Sequence, residues 1–364
     1  MSEGAVRVYV DAWDPSYGSA LDPAESGGPT TESTAQLNVD VELAAASWRP
    51  LAPAPDVRAP ATVLLVDGVR RIDARIWVEE PDGSMQPGLA ASFAAGVVRC
   101  DLRGGRAEVA DARVARGFFT PSPYATDLIA PCARYPIRRA AASDPAQLTG
   151  AVQADLHELE SRVCVAARAE AASQTEVAAE AASQTEVVVR AEAAGDEDDL
   201  LVVDGPLRGH TQLPRAVGYI KTHRVQYLPR ELATVVGRLA PGQRTPVFLL
   251  GTTWHRYTWY LKLPGPAGSP WAGVVRVETS ADLPRADVIR LADRSAITLP
   301  RFASSAYKDA RAPQNLTPIA GLERKLRGML GDQRLLLRGL SSAAPASGDA
   351  PAPVPHGNLD TQAA

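Results

Sequence analysis

The chain is poor in cysteine, with three in 364 residues (Cys100, Cys132 and Cys164) and no CxxC pair. That number and spacing argue against a disulfide framework and against a thiolate zinc site, and they suit a reducing cytoplasm. Long hydrophobic runs are also missing. None reaches the roughly 18 residues that a membrane helix needs. The N-terminal MSEGAVRVYVDAWD lacks the charged-then-apolar pattern of a secretion signal. A cytoplasmic protein with no membrane association is expected. No GxxxxGK(S/T) occurs, so any ATP-driven step needs a motor on another chain; HExxH, GxSxG and a dinucleotide-binding glycine pattern are absent as well. Positive net charge is lacking too, the formal balance being −4. An acidic chain is a poor general coat for nucleic acid, but a local basic channel can sit on an acidic body.

What is present is enough sequence for one large domain or two ordinary ones with a substantial core. The excess of Ala, Pro and Arg over Lys reads as a high-GC coding background. Residues 5–12 and 37–44 alternate as short strands, and the proline-rich 49–60 reads as a linker, so 1–60 form a β extension ahead of the core. ATVLLVDG, from Ala61, is a continuous apolar run of the kind that fills a strand buried on both faces. RRIDARIWVEE follows with period two and reads as a returning strand. Further strands are expected near 89–100 and 107–118, giving an antiparallel meander. Residues 146–194 read as a long Ala/Glu-rich helix containing a local duplication, AEAASQTEV at 169–177 and again at 179–187. Then come strands at 200–209, 216–228 and 245–251, a helix near 229–238, a hairpin from 255–263 and 272–278, a helix at 285–293 and an amphipathic helix at 321–332. The core is expected to end near residue 340, with an Ala/Pro/Gly/Ser-rich disordered tail from 341 to 364. The fold class is α/β.

The informative feature is a pair. LLVDG at 64–68 and LLVVDG at 200–205 are apolar strands that both run into Asp-Gly. In open α/β sheets function gathers at the carboxyl ends of strands, and a glycine there lets the backbone turn and leaves room for a phosphate. Two such strands side by side bring Asp67 and Asp204 together. Converging carboxylates in a partly dry site repel unless neutralised, and a divalent cation with oxygen ligands, Mn²⁺ or Mg²⁺, does this well. The bland alternative is a type I′ hairpin turn at each Asp-Gly, and RRIDARIW as a returning strand supports a turn at Asp67. The residues alone leave both open.

LLVDGVRRIDARIW, then LHELESRV on a helix, then LLVVDGPLRG, then VGYIKTHR, together resemble the NurA nuclease domain in order and spacing over about residues 60–330. The resemblance implies an RNase H-like fold, a mixed sheet flanked by helices and related to the Argonaute nuclease domain. It implies a Mn²⁺-dependent single-strand endonuclease and 5′–3′ exonuclease on DNA, active in end resection and repair. It also implies a homodimer working with a hexameric HerA-type ATPase. On that resemblance Asp67 and Asp204 are metal ligands and catalytic residues. Glu160 is the helix glutamate that joins them, with Glu158 two residues away as runner-up on a different helix face. Lys221 matches a lysine near the family's site and is expected to hold a substrate phosphate, with His223, Arg224 and Arg208 as neighbouring DNA contacts.

The departure is near the C-terminus. Where the family carries an aromatic residue and then an acid or histidine, this chain has YKDARAPQNLTPIAGLERKL and no histidine. Arg311, Gln314, Asn315 and Glu323 are the residues available to take over, and a catalytically weak DNA-binding adaptor is the alternative reading. Asp73 and Asp309 are expected to be solvated or salt-bridged. The acidic run 196–199 reads as a solvated loop. Trp254, Tyr257 and Trp259 offer either base stacking or core packing, and the basic residues of the last helix, Arg324, Lys325, Arg327, Arg334 and Arg338, either a DNA contact or a solvated face.

Overall fold

The computed structural model describes Trp13 and residues 35–183, 198–208, 210–265 and 268–343, with the side chains of 171–183 set aside. The strand expected at 5–12, the loop at 18–34, the end of the duplication, Asp196, Glu197 and the tail beyond Ala343 lie outside the described residues. The strands are β1 (Gln36–Asn38), β2 (Thr62–Glu79), β3 (Met85–Asp101), β4 (Arg106–Thr120), β5 (Leu128–Ala130), β6 (Ala133–Tyr135), β7 (Ile137–Arg139), β8 (Asp199–Asp204), β9 (Ala216–Ile220), β10 (Phe248–Gly251), β11 (His255–Lys262) and β12 (Val274–Ser280). The helices are α1 (Pro145–Ser183), α2 (Arg230–Val236), α3 (Arg285–Thr298), α4 (Thr317–Met329) and α5 (Gln333–Ala343). The chain is an α/β protein. No helix among the described residues is long and apolar enough to cross a membrane.

The chain divides into two compact units, and β2, β3, β4 and α1 each contribute residues to both. The first comprises residues up to Val69, Ala94–Arg113 and Leu156–Gly328. Its strands lie in the order β1-β10-β11-β12-β9-β8-β2-β3-β4. β8 runs parallel to β2 and to β9, whereas β12 is antiparallel to β9 and to β11. The sheet is therefore mixed, and the late hairpin expected from 255–278 is β11 and β12. The central strands explain the apolar runs: Val63 to Val66 and Leu200 to Val203 are all buried, each strand having neighbours on both sides and cover on both faces. The second unit comprises Arg70–Phe93, Val114–Asp155 and the residues from Met329. There β7 runs parallel to β4, β5 and β6 form a hairpin, and Ala90, Phe118, Tyr135 and Leu340 share a core. Asp73 is buried in this unit and held by Arg71 at 2.8 Å and by the Tyr135 hydroxyl at 3.0 Å.

One expectation is overturned. Asp67-Gly68 is not a hairpin turn, and 70–78 is not a returning strand; β2 runs unbroken for 18 residues. A type I′ turn needs positive φ at both central residues, and neither Asp67 nor Gly68 is among the positive-φ positions. The last helix also differs: α4 starts at Thr317, earlier than residue 321, and a separate α5 follows it.

Buried ions tie the N-terminal part of the first unit to its sheet. Arg244, only 1% exposed, bonds Glu42 through two nitrogens at 2.7 and 2.8 Å and Asp293 at 2.7 Å. Trp259, offered above for stacking or core, is fully buried and donates to Ser295.

Candidate metal centre

Strand register places the two aspartates. β2 and β8 are parallel, and their last paired residues are Val66 and Val203. Asp67 and Asp204 are the next residue on each strand, so they emerge side by side from adjacent strands about 4.8 Å apart. Beyond Asp204 the chain bends away at Gly205, whose φ of +119° is open to glycine and strained for other residues. The third acid comes from α4. Leu322 and Leu326 are buried against β3 at Gly96, which seats the helix and brings Glu323 over the strand ends. Asp67, Asp204 and Glu323 each present an oxygen within 4.8 Å of the other two.

The environment of these acids is asymmetric. Asp67 is 7% exposed, and its Oδ1 accepts from the Gly68 N–H at 2.8 Å. Its Oδ2 is buried with no hydrogen-bond partner, which costs about 1–3 kcal/mol unless something fills the gap. Burial, then the neighbouring Asp204 carboxylate, push the Asp67 carboxyl well above the ordinary 3.8. Burial raises Asp204 as well, against the opposing pull of Lys221. Lys221 Nζ donates to Asp204 Oδ2 at 2.6 Å and to Asn315 Oδ1 at 2.8 Å, and Asn315 Nδ2 in turn donates to Asp309 at 2.7 Å. Arg311 grips both oxygens of Glu323, at 2.9 and 2.8 Å. Three carboxylates thus face two built-in cations.

Glu160, expected as the helix ligand, is not one of the three converging acids. It lies on the buried stripe of α1 with Leu156, Leu159 and Val163 and is 6% exposed. Its Oε1 sits where a side chain on residue 68 would go, and its Oε2 is 3.6 Å from His210 Nε2. Gly68 therefore makes room for Glu160 beside Asp67. Glu158, the runner-up, is exposed and pairs with Arg162 at 3.3 Å. His210 is 1% exposed, and its Nδ1 meets Ser161 Oγ at 2.9 Å. Nothing in the sequence pattern singles it out except that it follows Asp204-Gly205 in a chain with five histidines.

Among the expected DNA contacts, Lys221 and Arg224 line a cleft of about 550 Å³ together with Asp204, Tyr227, Arg276 and Arg311. Arg208 is exposed. His223 lines the same cleft, but its ring packs on Tyr260 and Trp271, and its Nε2 is 3.0 Å from the Val274 carbonyl. Burial lowers its pKa to about 4, so it is neutral at physiological pH and does not serve as a cation there. Gln314 is a clamp: its side chain accepts from Trp13 Nε1 and its carbonyl from the Tyr219 hydroxyl.

No protein-family model matches the sequence, and no curated protein matches it.

The geometry alone makes one sharp prediction. Lys221 occupies an oxygen that a cation at this centre would need. Lys221→Met is expected to tighten Mn²⁺ binding, on the order of ten-fold, because an opposing charge on Asp204 is gone. Isothermal titration of the full chain checks this, and weaker Mn²⁺ binding would show that the ammonium supports the ion instead of competing with it.

Proposed function

We propose that this protein is a metal-dependent DNA nuclease of the NurA kind, with an RNase H-like core formed by the meander β2-β3-β4 and the parallel strands β8 and β9. One observation carries the reading: Asp67, whose Oδ2 is buried and unpartnered, presents an oxygen within 4.8 Å of oxygens on Asp204 and Glu323. An all-oxygen set of this kind fits Mn²⁺ or Mg²⁺, and these three residues would hold the ion. When bound, it supplies activation of water and stabilisation of charge on the phosphodiester.

The chain's own residues do the rest. Lys221, which bonds Asp204 and Asn315, is placed at the edge of the centre to hold a phosphate as a point charge. Asn315, fixed by Asp309, sets the direction from which the ammonium approaches. Arg311 orients Glu323 by holding both oxygens. Arg224 and Arg276 supply positive charge along the cleft. Glu160 stays close behind Gly68, with its Oε2 3.6 Å from His210 Nε2. On the resemblance noted above, DNA, a second copy of the chain and a HerA-type ATPase are the proposed partners.

A second reading is favoured by the same ion pairs. Lys221 and Arg311 offset two of the three acids without any metal, so the fold tolerates an inactive centre, and the chain would then serve as a DNA-binding adaptor. The test is incubation of purified full-length protein with single-stranded DNA in Mn²⁺, Mg²⁺ or EDTA. Cleavage in Mn²⁺ that vanishes in EDTA and in Asp67→Ala and Asp204→Ala supports the nuclease. Binding without cleavage in either metal supports the adaptor, and neither binding nor cleavage sinks both.

A further inference from the structure

Beside the metal centre, α4 and the segment before it enclose a hollow of about 300 Å³ lined by Lys308, Asp309, Arg311, Glu323, Arg324 and Arg327. Its two carboxylates are already engaged. Glu323 is taken by Arg311, and Asp309 accepts from Asn315 and from the Arg311 backbone N–H at 2.8 Å. Lys308, Arg324 and Arg327 make no ion pair with a carboxylate among the described residues. Arg324 and Arg327 are three apart on α4 and so project from neighbouring positions of one helix surface. In a chain of net charge −4, four cations against two acids around one small hollow leave a local excess of positive charge. Guanidinium forks match the paired oxygens of a phosphate. Glu323 forms a wall of the hollow and belongs to the metal centre, and Arg311 lines both the hollow and the cleft.

We propose that this hollow is a phosphate subsite, which holds one phosphate of a bound strand while a neighbouring phosphodiester lies at the metal centre. The assignment rests on the nuclease reading and adds to it where the strand is gripped. The phosphate is either a terminal monophosphate or an internal phosphodiester, which share the same chemistry. A terminal group, with its extra charge and free oxygens, gains more from the cations that line the hollow.

The experiment is binding of short fluorescent single-stranded oligonucleotides to the full chain in EDTA, where no cleavage occurs. Oligonucleotides with a phosphate or a hydroxyl at one end are compared for wild type and for Arg324→Ala/Arg327→Ala. If the subsite takes a terminal phosphate, wild type prefers the phosphorylated strand by roughly ten-fold and the double variant loses the preference. If it takes an internal phosphate, both strands bind alike, and the variant weakens both while the slope of log affinity against log salt falls by about one to two. Inorganic phosphate competes in the first case. Unchanged affinity and slope in a folded double variant overturn the proposal, as does a wild type that binds neither strand. A parallel Mn²⁺ cleavage assay separates the two ideas. Cleavage with unaltered binding in the variant removes the subsite and keeps the nuclease; phosphate-dependent binding without cleavage does the reverse.

Discussion

Asp67→Asn is expected to make the metal-free protein more stable and to abolish its stabilisation by Mn²⁺. The native carboxylate keeps an oxygen buried without a partner while two other acids converge on it. Asparagine retains an acceptor for the Gly68 N–H and offers N–H donors to the neighbouring acids. Relief of the unpaired oxygen is worth about 1–3 kcal/mol, or a rise of several degrees in thermal midpoint for a unit of this size. Wild type with Mn²⁺ at a hundred times its dissociation constant gains about 2.7 kcal/mol, and the variant gains none. The pH dependence has a definite sign. Asp67 and Asp204 have native pKa values above the ordinary 3.8. From 3.8 up to those native values these two groups bind more protons in the folded chain than in the unfolded one, so their contribution to stability is greatest at the acid end and is lost as pH rises through the native values. Asp67→Asn flattens that fall. Differential scanning fluorimetry across pH, with EDTA or Mn²⁺, reads all three effects. A variant less stable than wild type in EDTA, and still raised by Mn²⁺, would remove Asp67 from the centre.

The second large effect is structural. Arg244→Ala strips the buried acids Glu42 and Asp293 of the guanidinium that bonds both. Removing one partner of a buried pair typically costs about 3–5 kcal/mol, because the remaining charge stays desolvated. The Val247 N–H, which donates to Glu42 at 2.7 Å, loses a fixed acceptor as well. A drop on the order of 10 °C in thermal midpoint is expected. Adding Glu42→Gln and Asp293→Asn to Arg244→Met is expected to recover part of the loss, since no charge is then left unpaired. Chemical denaturation of the variants measures this, and a loss below about 1 kcal/mol would mean that water, not burial, surrounds the cluster.

The pairing of Asp67 with Asp204 was legible in the sequence because burial on both faces of a central strand requires a continuous apolar run, and each run stopped at an aspartate. The strands β3 and β4 and the order of the later elements were legible from alternation and the turn residues between them. The continuity of β2 was not. Asp-Gly is compatible with a hairpin or an extended strand, and only pairing with β3 and the packing of Glu160 against Gly68 decide between them. Glu323 was named only as one of four residues that could take over from the missing C-terminal histidine, since its place depends on how Leu322 and Leu326 seat α4, a tertiary contact with no local signature. The surroundings of His223 were not legible, because its ring packs against Tyr260 and Trp271, which come from distant segments. That Glu160 and Glu158 lie on different faces of α1 was legible from helical periodicity, and the structure buries the first and exposes the second.

Lys221 and Arg311 have a consequence for how the protein matures. A chain that carries resident counterions for its acidic cluster can finish folding before it encounters any metal. On the proposed nuclease reading, an ion would then be an exchangeable guest and not a keystone. Chelators should switch the centre off reversibly and leave the scaffold standing, unlike small zinc modules that collapse when stripped.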